Sequence, residues 1–234
     1  MVHLIQSFRL LAVRSMAASA LFIALVLLAP STARSQFPPA AGTRVRDASA
    51  LKPPAGANVA IVEFEDMQCP QCGRLNPLLK AAAAQYKIPL TRHDFPLAMH
   101  NWSLIAAINS RWFDTKGKKI GDEYRDEIFA NQASIFNPIT LRQFTEKFAR
   151  EHNLTLPFSI DPQGTLAAQV KADQTLGERI GIDHTPTIWI VTAHSTGSPY
   201  IEVVDSNRLY EAIDQAMAET RAAPSPTKKS KSKK

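Results

Sequence analysis

The chain has 234 residues, 45% of them hydrophobic, which suffices for one packed domain with tails and excludes wholesale disorder. Its formal charge of +6 sits at its ends: residues 1–34 hold three arginines without an acid, and residues 228–234 hold five lysines without one. Removing those eight charges leaves −2 for residues 35–227, so the folded part is near neutral and the basic balance is no sign of nucleic-acid binding.

Residues 1–35 have the form of an export signal. Arg9 and Arg14 make a positive n-region, "SMAASALFIALVLLA" an apolar h-region, and "PSTARS" offers small residues for cleavage near Ala33 to Ser35. The apolar run is short of the ~20 residues that a spanning helix needs, so a cleaved signal is the expectation and a retained membrane anchor the alternative. Either way the folded part is expected in the periplasm or another extracytoplasmic space, where disulfides form and persist.

Residues 36–56 are rich in proline and alanine and are expected to be a linker. "NVAIVEF" then reads as a buried strand, and from Cys69 the pattern becomes helical, with Leu75, Leu78 and Leu79 at spacings of three and four. Pro77 falls inside that helix and is expected to bend it near Gly73. "IPLTRHDFPL" is a second strand. "NWSLIAAINSRWF", "DEYRDEIFANQ" and "ITLRQFTEKFAREHN" are three successive helices. "DPQGTLAAQVKADQTLGERIGI" is a further helix, with Asp161 as candidate N-cap. Two strands, "TPTIWIVTA" and "YIEVVD", flank a turn-rich "HSTGSP", and "SNRLYEAIDQAMAETRA" closes the domain as an amphipathic helix. The order strand, helix, strand, helical block, helix, strand, strand, helix is that of an α/β domain with a helical insertion. The tail 223–234 is low-complexity and basic; a solubilising role is expected, with attraction to anionic surfaces as the alternative.

Cys69 and Cys72, in "EDMQCPQCGRLNP", are the only cysteines. A zinc site needs four ligands, and no second pair or regularly spaced histidines supply them. A structural disulfide across three residues closes too small a loop to remove much unfolded-state entropy. A redox pair is favoured on physical grounds. A sulfur at the start of a helix faces unpaired amides and the positive end of the macrodipole, which stabilise thiolate over thiol. Such a thiolate is a good leaving group, so a disulfide made with it is readily attacked.

Three stretches together, "GANVAIVEFEDMQCPQC", "DFPLAMHNWSLIAA" and "GIDHTPTIWI", resemble the DsbA-like thiol:disulfide oxidoreductases of the thioredoxin superfamily over roughly residues 53–222. The resemblance implies a thioredoxin-like fold, residues 57–97 and 156–222, with an inserted helical domain at 98–155. It implies an exposed nucleophile at Cys69, a buried partner at Cys72, a cis proline at Pro186, and Thr185 offering backbone to an extended substrate. Glu63, six residues before Cys69, falls where the superfamily places a buried acid that moves the proton of Cys72; a half-exposed strand residue is the alternative.

Pro70, Gln71 and His184 are candidate substrate contacts. Met67 and Phe95 could add an apolar rim. The implied partners are protein or peptide thiols and disulfides and a membrane redox protein, with no metal, organic cofactor or nucleic acid. Glu65 and Asp66, close upstream, would disfavour the thiolate if either carboxylate faced the sulfur. That leaves the direction open between dithiol oxidase and reductase or isomerase. Different in kind are a non-catalytic holdase using the same groove and a metal carrier using both thiolates.

Overall fold

The computed structural model describes residues 42–195 and 198–222. The export signal, the start of the linker, part of "HSTGSP" and the basic tail lie outside the described residues. No helix among the described residues is long and apolar enough to cross a membrane.

A four-stranded sheet in the order β2-β1-β3-β4 organises the chain. Its strands are β1 (Val59–Glu65), β2 (Leu90–Asp94), β3 (Thr187–Thr192) and β4 (Tyr200–Glu202). β1 runs parallel to β2 and antiparallel to β3, which pairs antiparallel with β4. The crossover between β1 and β2 is α1 (Pro70–Tyr86), which passes through Pro77 as one element. Every residue of β1 is buried, so its alternation serves two cores. Val59 and Ile61 face α1 and α6 (Leu209–Ala222), meeting Leu79, Ala82 and Ile213. Ala60, Val62 and Phe64 face the other side, against Trp189 and Ile180 of α5 (Thr165–Ile180). Glu63 and Glu65 continue the first face by the same period of two.

Between β2 and α5 the chain forms α2 (Ser103–Asp114), α3 (Lys118–Ala130) and α4 (Pro138–Glu151). Asn137 caps α4 in a reciprocal capping box with Thr140. These helices have a core of their own, including Trp102, Phe113, Tyr124, Leu141 and Phe148. The inserted helical domain on a thioredoxin-like sheet is thus the observed architecture.

Two expectations are corrected. The described part of the linker is docked. The Thr43 amide donates to both carboxylate oxygens of Glu202 at 2.8 Å, the Arg46 amide donates to the Ile180 carbonyl at 2.7 Å, and Leu51 is buried beside Val62 and Trp189. Its few apolar residues cover the sheet face that α1 and α6 leave open, but they lack the periodicity that marks a helix or strand. Asp161 is also not the N-cap of α5. "DPQG" turns, Gly164 takes the cap position in left-handed backbone (φ 71°), and the Asp161 carboxylate reaches forward to the Ala167 amide at 2.8 Å.

A buried ionic network joins the insertion to the sheet. Arg125 of α3 pairs with Glu65 of β1 and, at 2.8 Å, with Asp94 of β2. Arg111 of α2 reaches Asp94 at 2.6 Å and Asp173 of α5 at 2.5 Å. Burial pushes the Asp94 carboxyl up, but Arg125 and Arg111 outweigh it and hold the group below its ordinary range. Replacing Arg125 by methionine would leave Glu65 and Asp94 facing each other without their shared cation. Arg125→Met should therefore cost about 3–5 kcal/mol in urea unfolding. Because the folded Asp94 is the stronger acid, its contribution is full above the unfolded value of about 3.9 and fades as pH falls through the lower folded value. That acid-side loss should shrink in the variant.

Candidate active site

Cys69 is the N-cap of α1, with extended backbone at φ −72° and ψ 118°, and Pro70 opens the helix where its missing N–H is not needed. No side chain caps this end, so its amides are left for the sulfur. Cys69 retains 7% of its surface and Cys72 none. The expected exposed nucleophile is thus corrected to a nearly covered one. The loop before β3 roofs it, and as a thiol Cys69 donates to the Thr185 carbonyl at 3.3 Å.

The two sulfurs are held in opposite states. The Cys69 thiol is pulled down to about 5, most of all by the hydrogen bond from the Cys72 thiol; burial opposes this, and the Cys72 amide adds to it. Cys72 is pushed far up, first by burial, then by the Cys69 sulfur and the Glu63 carboxyl. The reduced pair therefore loses its first proton from Cys69, to solvent, while Cys72 keeps its own. Behind them Glu63 is fully buried, and its carboxylate oxygens have no hydrogen-bond partner among the described residues. Burial holds its carboxyl well above the usual range, Glu65 adding to the shift and Arg92, at 3.7 Å, opposing it. Glu63 is no half-exposed strand residue.

Facing α1, the Thr185–Pro186 peptide bond is cis. Thr185, Pro186, His184, Gln71 and Leu75 line a groove of about 250 Å³. Pro70 is exposed at the helix start and does not line that groove. His184 bonds Asp183 at 2.6 Å, and Gln71 accepts from Arg74; Gln71 lowers the Cys69 thiol through its backbone amide. Met67 and Phe95 are buried at 1% and 8% exposure, so they belong to the core and not to a substrate rim. Among the described residues no group of three or more His, Cys, Asp or Glu could hold a metal ion.

A family model described as Thioredoxin matches residues 55–215. The chain belongs to the thioredoxin family. Within it the fold is DsbA-like. Alpha-DsbA1 of Wolbachia pipientis superposes with a TM-score of 0.58 at 15% identity, covering 73% of this chain and 92% of that one. DsbA2 of Pseudomonas aeruginosa gives 0.52 at 24%, covering 70% and 91%. A sodium/proton antiporter, NhaA 1 of Salinispora arenicola, is 24% identical over 180 residues. That match takes in 76% of this chain but spans about a quarter, 26%, of the antiporter.

The site also has members whose part in it the sequence did not show. Asp66 accepts from the Gln68 and Leu97 amides and from Ser103, and bonds His100 at 2.7 Å, while its own amide points at the Cys72 sulfur at 3.5 Å. Gln132, from the insertion, donates to the Cys69 carbonyl. No sequence signal marked Gln132; His100 could have been found through its place in the stretch that follows β2.

In this thioredoxin-family site, alkylation of the reduced protein should modify Cys69 alone, with a rate that follows its thiolate fraction around an apparent pKa near 5. A midpoint near the ordinary thiol value of about 8.5 would contradict the geometry. The folded value is the lower one. The dithiol form should therefore be most stable above about 8.5 and lose that gain steadily as pH falls to about 5.

Proposed function

We propose that the protein is an exported thiol:disulfide oxidoreductase acting mainly as a dithiol oxidase on protein substrates. The observation that carries this reading is the unequal pair, a Cys69 thiol held near 5 beside a Cys72 that keeps its proton. A thiolate stabilised in the reduced form makes the disulfide form a good electron acceptor.

A substrate thiolate attacks Cys69 Sγ of the Cys69–Cys72 disulfide. The substrate–Cys69 bond forms, and the Cys69–Cys72 bond breaks with its electron pair on Cys72. The raised Glu63 carboxyl holds a proton at neutral pH and is the group proposed to supply it to Cys72. A second substrate thiolate then attacks the substrate sulfur and expels Cys69 as its stabilised thiolate. The substrate has lost two electrons and the pair has gained them. Thr185 and Pro186 border the path of an extended substrate, with Gln71, Pro70 and His184 as flanking contacts. A membrane redox partner carrying an oxidised disulfide would reverse the balance and reset the pair.

Cys69→Ser should abolish both insulin reduction and refolding of a reduced, disulfide-requiring protein; retention of either refutes the assignment. The potential should lie well above the roughly −270 mV of thioredoxin, and a value near it would replace the oxidase by a reductase. A holdase would instead give equal protection against aggregation with and without the cysteines, and no thiol exchange in either. Glu63→Gln should slow turnover about tenfold or more, in the range of lost acid-base assistance, while leaving the pH midpoint of Cys69 alkylation in place.

A further inference from the structure

The cysteine turn is shared between the two halves of the fold. Met67, Cys69 and Cys72 lie in the core of the insertion together with Trp102, Phe129 and Ile135. One side chain of the insertion is bonded to the backbone of the turn itself. Gln132 opens the short 3-10 turn Gln132–Ser134 that follows α3. Its side-chain amide donates to the Met67 carbonyl at 2.8 Å and to the Cys69 carbonyl at 3.0 Å. The Cys69 carbonyl also receives the Gly73 amide at 3.2 Å, a hydrogen bond of the first turn of α1.

The approach is possible because residue 73 has no side chain. A Cβ there would stand 2.7 Å from Gln132 Oε1 and 3.1 Å from its Cδ. Glycine is a poor helix former, and α1 continues into four alanines at 81–84. A glycine directly after Cys72 is therefore a local loss in helix stability that the passage of Gln132 accounts for.

We propose that Gln132 is a positioning residue for thiol exchange: its amide clamps the Met67 and Cys69 carbonyls and fixes the cysteine turn against the insertion. The proposal rests on Cys69 being the attacking sulfur. A primary amide has two N–H donors, one for each carbonyl. Held together, the two peptide units fix the backbone angles of Gln68 and Cys69, and with them the place of Sγ relative to the amides of Gln71 and Cys72. The insertion thereby sets the chemistry of a cysteine that belongs to the thioredoxin-like part of the chain.

The test is an ultraviolet titration of the Cys69 thiolate in the reduced full-length protein. Gln132→Ala should raise its midpoint by about half a unit to one unit, the scale of one net hydrogen bond. Gln132→Glu should raise it further, because a carboxylate offers no donor and faces two carbonyls. Gly73→Ala should give the same upward shift although alanine favours the helix, since its Cβ displaces the glutamine. The Gly73→Ala, Gln132→Ala double variant should shift no more than the larger single one, because both remove one contact.

An unmoved midpoint in Gln132→Ala and Gly73→Ala, whatever happens to their melting temperatures, overturns the clamp. Additive shifts in the double variant overturn it as well. Failure of the wild type to exchange thiols with insulin would instead remove the functional reading, and the titration separates that failure from this one.

Discussion

The site depends on the coupling of two thiols, Cys69 at the open end of α1 and Cys72 buried behind it, which is the largest influence lowering the Cys69 thiol. It lets a single proton serve both groups: Cys69 is free to ionise because Cys72, fully buried, is not. Neither position would behave this way alone. A buried thiol without a partner rises, and a sulfur at a helix start without an internal donor gains only from amides and dipole. Spacing of three residues on a helix puts the second sulfur one turn inward of the first, so the asymmetry between them is a direct consequence of helical geometry and depth.

The surrounding fold supplies that depth. β1 delivers Glu63 beneath the pair by its alternation, on the face that α1 covers. A buried carboxyl with no hydrogen-bond partner is costly when ionised, so its proton is retained there. Arg92 stands 3.7 Å from Glu63 and 3.6 Å from Glu65, and Arg125 ties Glu65 to Asp94. The cations therefore serve Glu65 and Asp94 more closely than Glu63, and the carboxyl nearest the redox chemistry is the one left least compensated. The unequal distribution of arginines thus separates a structural carboxylate pair, Glu65 of β1 with Asp94 of β2, from a proton-holding acid two residues earlier on β1.

Much of this was legible in the chain. The β-branched run 58–64, the helix starting at Cys69, the helical block and the closing strands each carry a local pattern strong enough to fix the element type. The cysteine pair and "HTPT" locate the two sides of the site. What escaped were features with no period. Val45, Ala50 and Leu51 dock the supposed linker through isolated apolar contacts. Exposure at Cys69 could not be read either, because its cover comes from Thr185, 116 residues away. The same holds for Gln132, set in the run "ANQAS" and 63 residues from the carbonyl it holds.

Glu65 and Asp66 show why composition near a reactive sulfur is a poor guide to its field. Two acids within four residues of Cys69 suggest an environment hostile to thiolate. In the folded chain both carboxylates are spent elsewhere, Glu65 on Arg125 and Asp66 on the Gln68 and Leu97 amides, Ser103 and His100. Holding the loop after β2 in this way leaves the Asp66 amide aimed at Cys72 Sγ. The residue that looked like a charge penalty presents a donor to the sulfurs instead. What the thiolate meets is set by which atoms of its neighbours are already engaged: Arg125 holds Glu65 and four donors hold Asp66, while the amides of Gln71 and Cys72 are left for the Cys69 sulfur.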